Sequence, residues 1–252
     1  MTPDEKAARL RELHRPGEPL ILPNVWDAAS AKVVAEAGFP VLATASAAIS
    51  AMLGHPDHEG APAEEMFAAA ERVIKAVDVP VTVDAEAGYG LAPRELVDRL
   101  VAIGASGFNF EDTDHAKGAM VDVSEQADRI AALRAACRDA GVDLVINARV
   151  DPFVLGLNDP LPIAVERGVR YAEAGADCIY AIMASSEDAI AALTKEIPAP
   201  VNVNCLPGAG PARLAELGVA RISFGPMPYY VALEALKGMA TRLAEGKDPY
   251  ES

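Results

Sequence analysis

VPVTVDAEAGYG, residues 79–90, joins a short apolar strand to two acids and a glycine-rich loop. Alternate side chains of a strand share a face, so Thr82, Asp84 and Glu86 point one way and Val81 and Val83 the other. Two carboxylates on one face at a strand's end repel each other and lose hydration. They call for a cation, a shared proton or water. A solvated turn would account for the same letters.

Outward from this stretch the chain repeats one rhythm: a helical run closes in Gly and a short apolar strand follows. It occurs at Gly38, Gly104, Gly141, Gly175 and Gly218, and Gly supplies the left-handed conformation that ends a helix. Two further units, KAVDVPVTVD and KEIPAPVNVN, close with Pro instead. With an opening strand at 20–22, the count of strands is eight. The amphipathic, Ala-rich runs at 28–37, 63–76, 93–103, 124–140, 161–174, 187–196, 209–217 and 228–244 read as the helices between them. Alternating strands and helices imply parallel strands with right-handed crossovers. Eight units of about thirty residues fit a single-domain (β/α)8 TIM barrel over residues 1–252. The other arrangement is an open doubly wound sheet, but no GxGxxG follows the first strand. Residues 4–14 read as an extra helix under the barrel, with His14 at the surface. The small-residue run ATASAAISA reads as a strand feeding a tight loop.

Composition narrows the partners. The chain has 252 residues, 51% apolar and 23% charged, with a formal net charge of -15. That charge opposes nucleic acid or an anionic membrane as the partner. Cys137, Cys178 and Cys205 make no metal pattern and read as free thiols of a reducing compartment. The charged start lacks an apolar signal core and no run is fit to span a bilayer, so the expected location is the cytoplasm.

In such a barrel function sits at the C-terminal ends of the strands. These deliver Asn24, Trp26 and Asp27; Thr44 and Ser46, then a loop with His55, Asp57, His58 and Glu59; Asp84 and Glu86; Asn109 and Glu111; Asn147 and Arg149; Asn202 and Asn204. The sixth strand, ending in Met183, Ala184 and Ser185, brings nothing charged. Buried polar groups without partners cost about 1–3 kcal/mol each, so a polar cavity at the mouth is the economical reading. Asp84, Glu86, Glu111 and Asp57 form an acid cluster suited to a hard cation such as Mg²⁺. Arg149 reads as the single interior cation of the strands. It suits a substrate carboxylate or phosphate held bidentately, or else an internal salt bridge to a Glu. His55 and His58 beside Asp57 lack a third transition-metal ligand.

Four motifs in order along the chain carry a resemblance: ISAMLGHPD, VDAEAGYG, FED and ARVDPF. Over roughly residues 20–224 the chain resembles the isocitrate lyase/phosphoenolpyruvate mutase superfamily. The resemblance implies a (β/α)8 barrel whose last helix is swapped between subunits of a homodimer or homotetramer. It implies Mg²⁺, with Mn²⁺ as the alternative, and a small 2-oxo or 2-hydroxy acid substrate. By the same resemblance Asp57, Asp84, Glu86 and Glu111 form the metal and metal-water shell, and Arg149 takes the substrate carboxylate. Thr44, Ala45 and Ser46 hold substrate oxygens, and Tyr89 lines the site. Asn202 and Asn204 join as substrate-binding candidates, and Glu111, Arg149, Tyr89, His115 and Lys117 as catalytic ones. Lyases of the family carry K-[KR]-C-G-H after the fourth strand, its Cys serving as acid/base. Here the loop reads TDHAKGAM, which leaves His115 and Lys117 as its proton-transfer groups. The implied reaction is C–C cleavage, by a lyase or decarboxylase, through a metal-stabilised enolate. The alternatives are a phosphoenolpyruvate/phosphonopyruvate mutase or hydrolase, or a catalytically silent oxo-acid binding protein.

Overall fold

The computed structural model describes residues 1–206 and 208–250. Its sheet has nine short parallel strands rolled into a barrel. The first two, Leu20–Leu22 and Asn24–Val25, are one stave interrupted at Pro23, which has no N–H for the ladder. The lower half pairs with Arg221–Ser223 and the upper half with Ala43 and Thr44. The broken stave therefore closes the barrel from both sides, and the open-sheet alternative falls away. The remaining staves are Leu42–Thr44, Val81–Asp84, Gly107–Glu111, Val145–Val150, Cys178–Ala181, Val201–Asn204 and Arg221–Ser223.

Gly104 and Gly175 close their helices at φ +84° and +106°, where any Cβ would be strained. The outward side chains of the staves, among them Val83, Phe108, Ile146, Ile179, Val203 and Ile222, pack with helical Leu96, Leu100, Ile130, Leu133 and Leu193. Inside the base of the barrel a second cluster joins Leu20, Leu22, Val41, Ala43 and Val145 to Leu10. Leu10 comes from the N-terminal helix Pro3–Glu12, which starts in a capping box between Thr2 and Glu5. That helix plugs the bottom, so the polar interior opens only at the top. No helix among the described residues is long and apolar enough to cross a membrane.

Four local expectations are corrected. The run after the second stave is no tight loop but a helix, Ser46–Leu53, ending at Gly54 with φ +87°. The segment after the fourth stave is an antiparallel hairpin, with Thr113 opposite Met120 and Asp114 opposite Ala119. His14 is buried, its Nδ1 2.8 Å from the Leu10 carbonyl oxygen, and burial lowers its pKa to about 4. Arg149 is not the single interior cation: Arg221 is fully buried inside the barrel, donating to Asn109 Oδ1 at 3.2 Å. Arg221 lies three residues after the helix-closing Gly218, and its alternation with Ile222 puts the two on opposite faces of the strand.

Candidate active site

The third stave ends at Asp84, and the strand alternation expected to run on to Glu86 stops there. Asp84 Oδ2 accepts from the backbone N of Ser46 at 3.0 Å and from its Oγ at 2.7 Å. Oδ1 accepts from Asn109 Nδ2 at 3.2 Å. Asn109 Oδ1 in turn accepts from Asn147 Nδ2 at 2.8 Å and from Arg221. The two donors to Oδ1 fix the amide so that its N–H₂ faces Asp84. Thr44 is buried, and its Oγ1 accepts from the Asp84 backbone N at 2.8 Å, which shapes the strand end.

Glu86 lies in the following turn, at φ +47°, and Tyr89 at φ +55°. Glu86 accepts from the Glu59 backbone N at 2.5 Å and from Tyr89 Oη at 3.0 Å. Tyr89 N donates to Glu59 Oε1 at 2.5 Å, which ties the loop after the second stave to the turn after the third. Burial, with Asp84, Glu111 and Asp57 adding repulsion, pushes the Glu86 carboxyl up to about 8. Burial and Glu86 likewise raise the Tyr89 phenol. Tyr89 packs edge-on against Phe67 and touches Glu86 from beneath.

Glu111 closes the fourth stave, buried between an imidazole and a guanidinium. His115 Nε2 lies 2.6 Å from its Oε1, and Arg149 pairs with its Oε2. The remainder of the Arg149 fork donates to Asp151 Oδ1 and Oδ2 at 2.6 and 3.0 Å. Burial opposes the Arg149 charge, but Glu111 and Asp151 outweigh it and hold its pKa high. The internal salt bridge allowed by the sequence is thus present, and the bidentate grip is on Asp151. Burial raises Glu111 although Arg149 and His115 pull it down, and the bond to Glu111 raises His115. Glu86, Glu111 and His115 offer three donor atoms within 4.8 Å of one another.

A cavity of about 120 Å³ opens at the barrel mouth. Asp57, Asp84 and Arg149 line it with Ala45, Ser46, Asn109 and Tyr180, and Gly225 and Pro226 close one side. A second cavity, about 270 Å³, lies beyond Arg149 under the hairpin, bordered by His58, His115 and Asp151. Lys117 enters neither cavity: its side chain is 79% exposed and paired with Asp114 at 2.7 Å. The turn of the hairpin carries it outward, away from His115 and the two cavities. Asn202 is wholly buried and exchanges hydrogen bonds with Ser223, which lines the cavity while Asn202 does not. Asn204 donates to Tyr180 Oη at 2.7 Å. Tyr180, missed in the sequence, stands on the sixth stave, two residues from Cys178 and on the same face. Burial raises its phenol, which stays protonated at neutral pH.

The acids at this mouth outnumber the cations, and Asp57, Asp84 and Glu86 form no ion pair with Lys, Arg or His among the described residues. Their oxygens fit a divalent cation.

The sequence profile of the phosphoenolpyruvate phosphomutase family matches residues 10–244. The chain is 30% identical to 2,3-dimethylmalate lyase of Eubacterium barkeri, over 94% of this chain and 86% of that protein. It is 30% identical to oxaloacetate decarboxylase of Rhodopseudomonas palustris (strain TIE-1), over 90% and 81%. A solved structure from Burkholderia cenocepacia J2315, provisionally assigned as a phosphonomutase, superposes with a TM-score of 0.90 at 45% identity, covering 94% of this chain and 99% of that one.

Proposed function

Because the chain belongs to the phosphoenolpyruvate phosphomutase family, within the isocitrate lyase/phosphoenolpyruvate mutase superfamily, we propose that it is a carbon–carbon lyase or decarboxylase of a small 2-oxo or 2-hydroxy dicarboxylate. The observation that carries this reading is the cavity of about 120 Å³ that joins Asp57, Asp84, Arg149 and Tyr180. It is smaller than the pockets that hold drug-sized ligands and suits a compact acid. Asp57, Asp84, Glu86 and Glu111 would hold Mg²⁺ or Mn²⁺. When bound, the cation supplies positive charge to the oxygen on which an enolate develops.

The remaining chemistry belongs to the chain. Ala45, Ser46 and Ala47 put the N-terminal end of a helix on the cavity, a place that favours a carboxylate. Arg149, fixed by Asp151 and Glu111, adds a positive wall to the same cavity. Asn204 donates to the Tyr180 oxygen, which leaves the phenolic hydrogen for a ligand. Tyr180 is therefore the group placed to return a proton to the carbanion as the C–C bond breaks. The hairpin contributes Thr113, His115 and Gly118 to the second cavity, beside Arg149.

Incubation with Mg²⁺ and oxaloacetate, 2,3-dimethylmalate or phosphonopyruvate tests the reading. Release of pyruvate or another short oxo acid from a dicarboxylate is the expected result. Turnover of phosphonopyruvate alone would replace it with P–C chemistry, and saturable binding without turnover would leave a binding protein.

A further inference from the structure

Asp112 is wholly buried, yet it lines neither cavity. Glu111 points into the barrel, so the next side chain along the strand points outward, toward the surrounding helices. There it meets Arg167 and Tyr171, one turn apart on the helix Pro160–Glu173. We propose that Asp112, Arg167 and Tyr171 are positioning residues that aim the Arg149 guanidinium at the ligand, and that this aim sets a preference for dicarboxylates over monocarboxylates. The inference rests on the reading that the cavity takes a small dicarboxylate, and concerns what holds its cationic wall in place.

The parallel ladder between the fourth and fifth staves ends at the pair Glu111 and Arg149. Beyond it a side chain takes the place of the next carbonyl: Asp112 Oδ1 accepts from the Asp151 backbone N at 3.1 Å. Its other oxygen, Oδ2, accepts from Arg167 Nη1 at 2.8 Å and from Tyr171 Oη at 2.9 Å. Arg167 Nη1 also donates to Tyr171 Oη at 2.7 Å, so the three groups close a ring. Arg167 Nη2 donates to the Val121 carbonyl oxygen at 2.7 Å, and Val121 N donates to the Asp112 carbonyl oxygen at 2.8 Å. The feet of both hairpin strands are thus clamped to one guanidinium.

Asp151 passes this constraint on. Its carboxylate, also wholly buried, accepts from Arg149 Nε at 2.6 Å, from Arg149 Nη2 at 3.0 Å and from Thr113 Oγ1 at 2.5 Å. Glu111 takes a third Arg149 N–H, through Nη1. Among the described residues these are the partners of the fork, which leaves two of its five N–H groups for a ligand. Arg149 borders both cavities, so either side gives access to it. The direction of the two groups follows from the plane of the guanidinium, and the grip of Asp151 fixes that plane. A carboxylate held by a planar fork loses much of its gain when the fork tilts. One held at the helix end by Ala45, Ser46 and Ala47 does not sense the tilt. A clamp serving stability alone would hold the hairpin and have no bearing on which acid binds.

The test uses the full chain with Mg²⁺ and two acids that differ in one carboxylate, malate and 2-hydroxybutyrate. Calorimetry on the wild type should give malate the lower Kd by about tenfold or more. Arg167→Lys keeps the charge and loses the fork, and Tyr171→Phe deletes one oxygen. In both, malate affinity should fall by roughly three- to tenfold while that of 2-hydroxybutyrate stays within about twofold. A guanidinium ¹⁵N–¹H spectrum of the metal-free chain follows the Arg149 Nε–H directly, its signal identified by loss in Arg149→Lys. That signal should exchange slowly with water in the wild type and broaden in the variants. Tyr171→Phe carries the test if Arg167→Lys does not fold. Equal loss for both acids, or a malate preference kept in the variants, sinks this inference and leaves the proposed function standing. A wild type that binds malate no better than 2-hydroxybutyrate sinks the dicarboxylate reading and the preference with it. The spectrum then decides alone whether the clamp aims Arg149, and a signal unchanged in both variants overturns that as well.

Discussion

Glu86 shows how much one residue's surroundings decide. Its carboxyl titrates near 8 in the fold against 4.5 for the free side chain, because burial and three neighbouring acids disfavour the charge. Between those pH values the folded state holds a proton that the unfolded chain has released. Metal-free stability must therefore fall as pH rises from about 5 to 8, by up to roughly 1.4 kcal/mol per pH unit. Urea unfolding in chelator across that range should show the decline, and Glu86→Gln should flatten it. An equally steep profile in the variant would place the proton elsewhere. Arg149 gives a second case. A fork kept free for substrate could be replaced cheaply, but here its removal strands two buried carboxylates. Arg149→Met should cost about 3–5 kcal/mol in denaturant unfolding. A loss under about 1 kcal/mol would return the residue to the exposed-pair class. For Tyr180→Phe the expectation is kinetic: turnover lower by about 10²–10⁴-fold, with binding of an unreactive dicarboxylate nearly unchanged. Equal damage to binding and turnover would make the phenol a substrate anchor.

The elements carry these residues to their places through a few backbone devices. Pro23 breaks the first stave so that its halves bond to different neighbours. Gly107 begins the fourth stave where nothing larger fits. A Cβ there would lie 2.6 Å from the Val145 carbonyl oxygen and 2.9 Å from Leu10 Cδ2, which links the strand register to the N-terminal plug. Gly107→Ala should lower stability by about 1–3 kcal/mol through this overpacking. Unchanged unfolding would show that the plug can retreat freely. The rhythm of helix, Gly and strand was legible because it is local. The helix Ser46–Leu53 was not: Ala, Ser and Ile suit either element, and its start is set by Asp84 reaching across from another stave. The hairpin after Glu111 was hidden for the same reason, since its two residue pairs are joined by a turn with few apolar letters.

At the scale of the whole molecule the C-terminal helix, Met227–Ala244, stands apart, with no buried residue of its own. Met227, Tyr230, Val231, Leu233, Leu236 and Leu243 are all exposed, half of the large exposed apolar side chains among the described residues. Only its start reaches the barrel, through Tyr229 edge-on to Trp26 at 5.2 Å. An apolar helix face of this kind calls for a partner, and we propose a second copy of the chain. Sedimentation should give a dimer or larger assembly. A chain ending at Pro226 should sediment as a monomer while keeping the circular dichroism of the barrel. A monomeric full-length protein would refute the proposal.

The sequence by itself determined the barrel, its eight-unit rhythm, the polar mouth and the acids that gather there. Strand alternation and helix-closing glycines act over a few residues and leave their mark in the order of letters. Only the tertiary structure decided what those acids touch. Glu111 lies 2.6 Å from His115 across a hairpin, Arg149 is claimed by Asp151, Asn204 serves Tyr180, and Lys117 turns to solvent. The Arg149–Glu111 and Asn204–Tyr180 pairs join staves distant in the sequence, while the others lie within four residues along turns whose course the barrel sets; whether a buried charge meets a cation, a phenol or a cavity depends on closure of the barrel in three dimensions. Arg221 is the clearest instance: a letter in the eighth stave that only closure places beside Asn109 of the fourth.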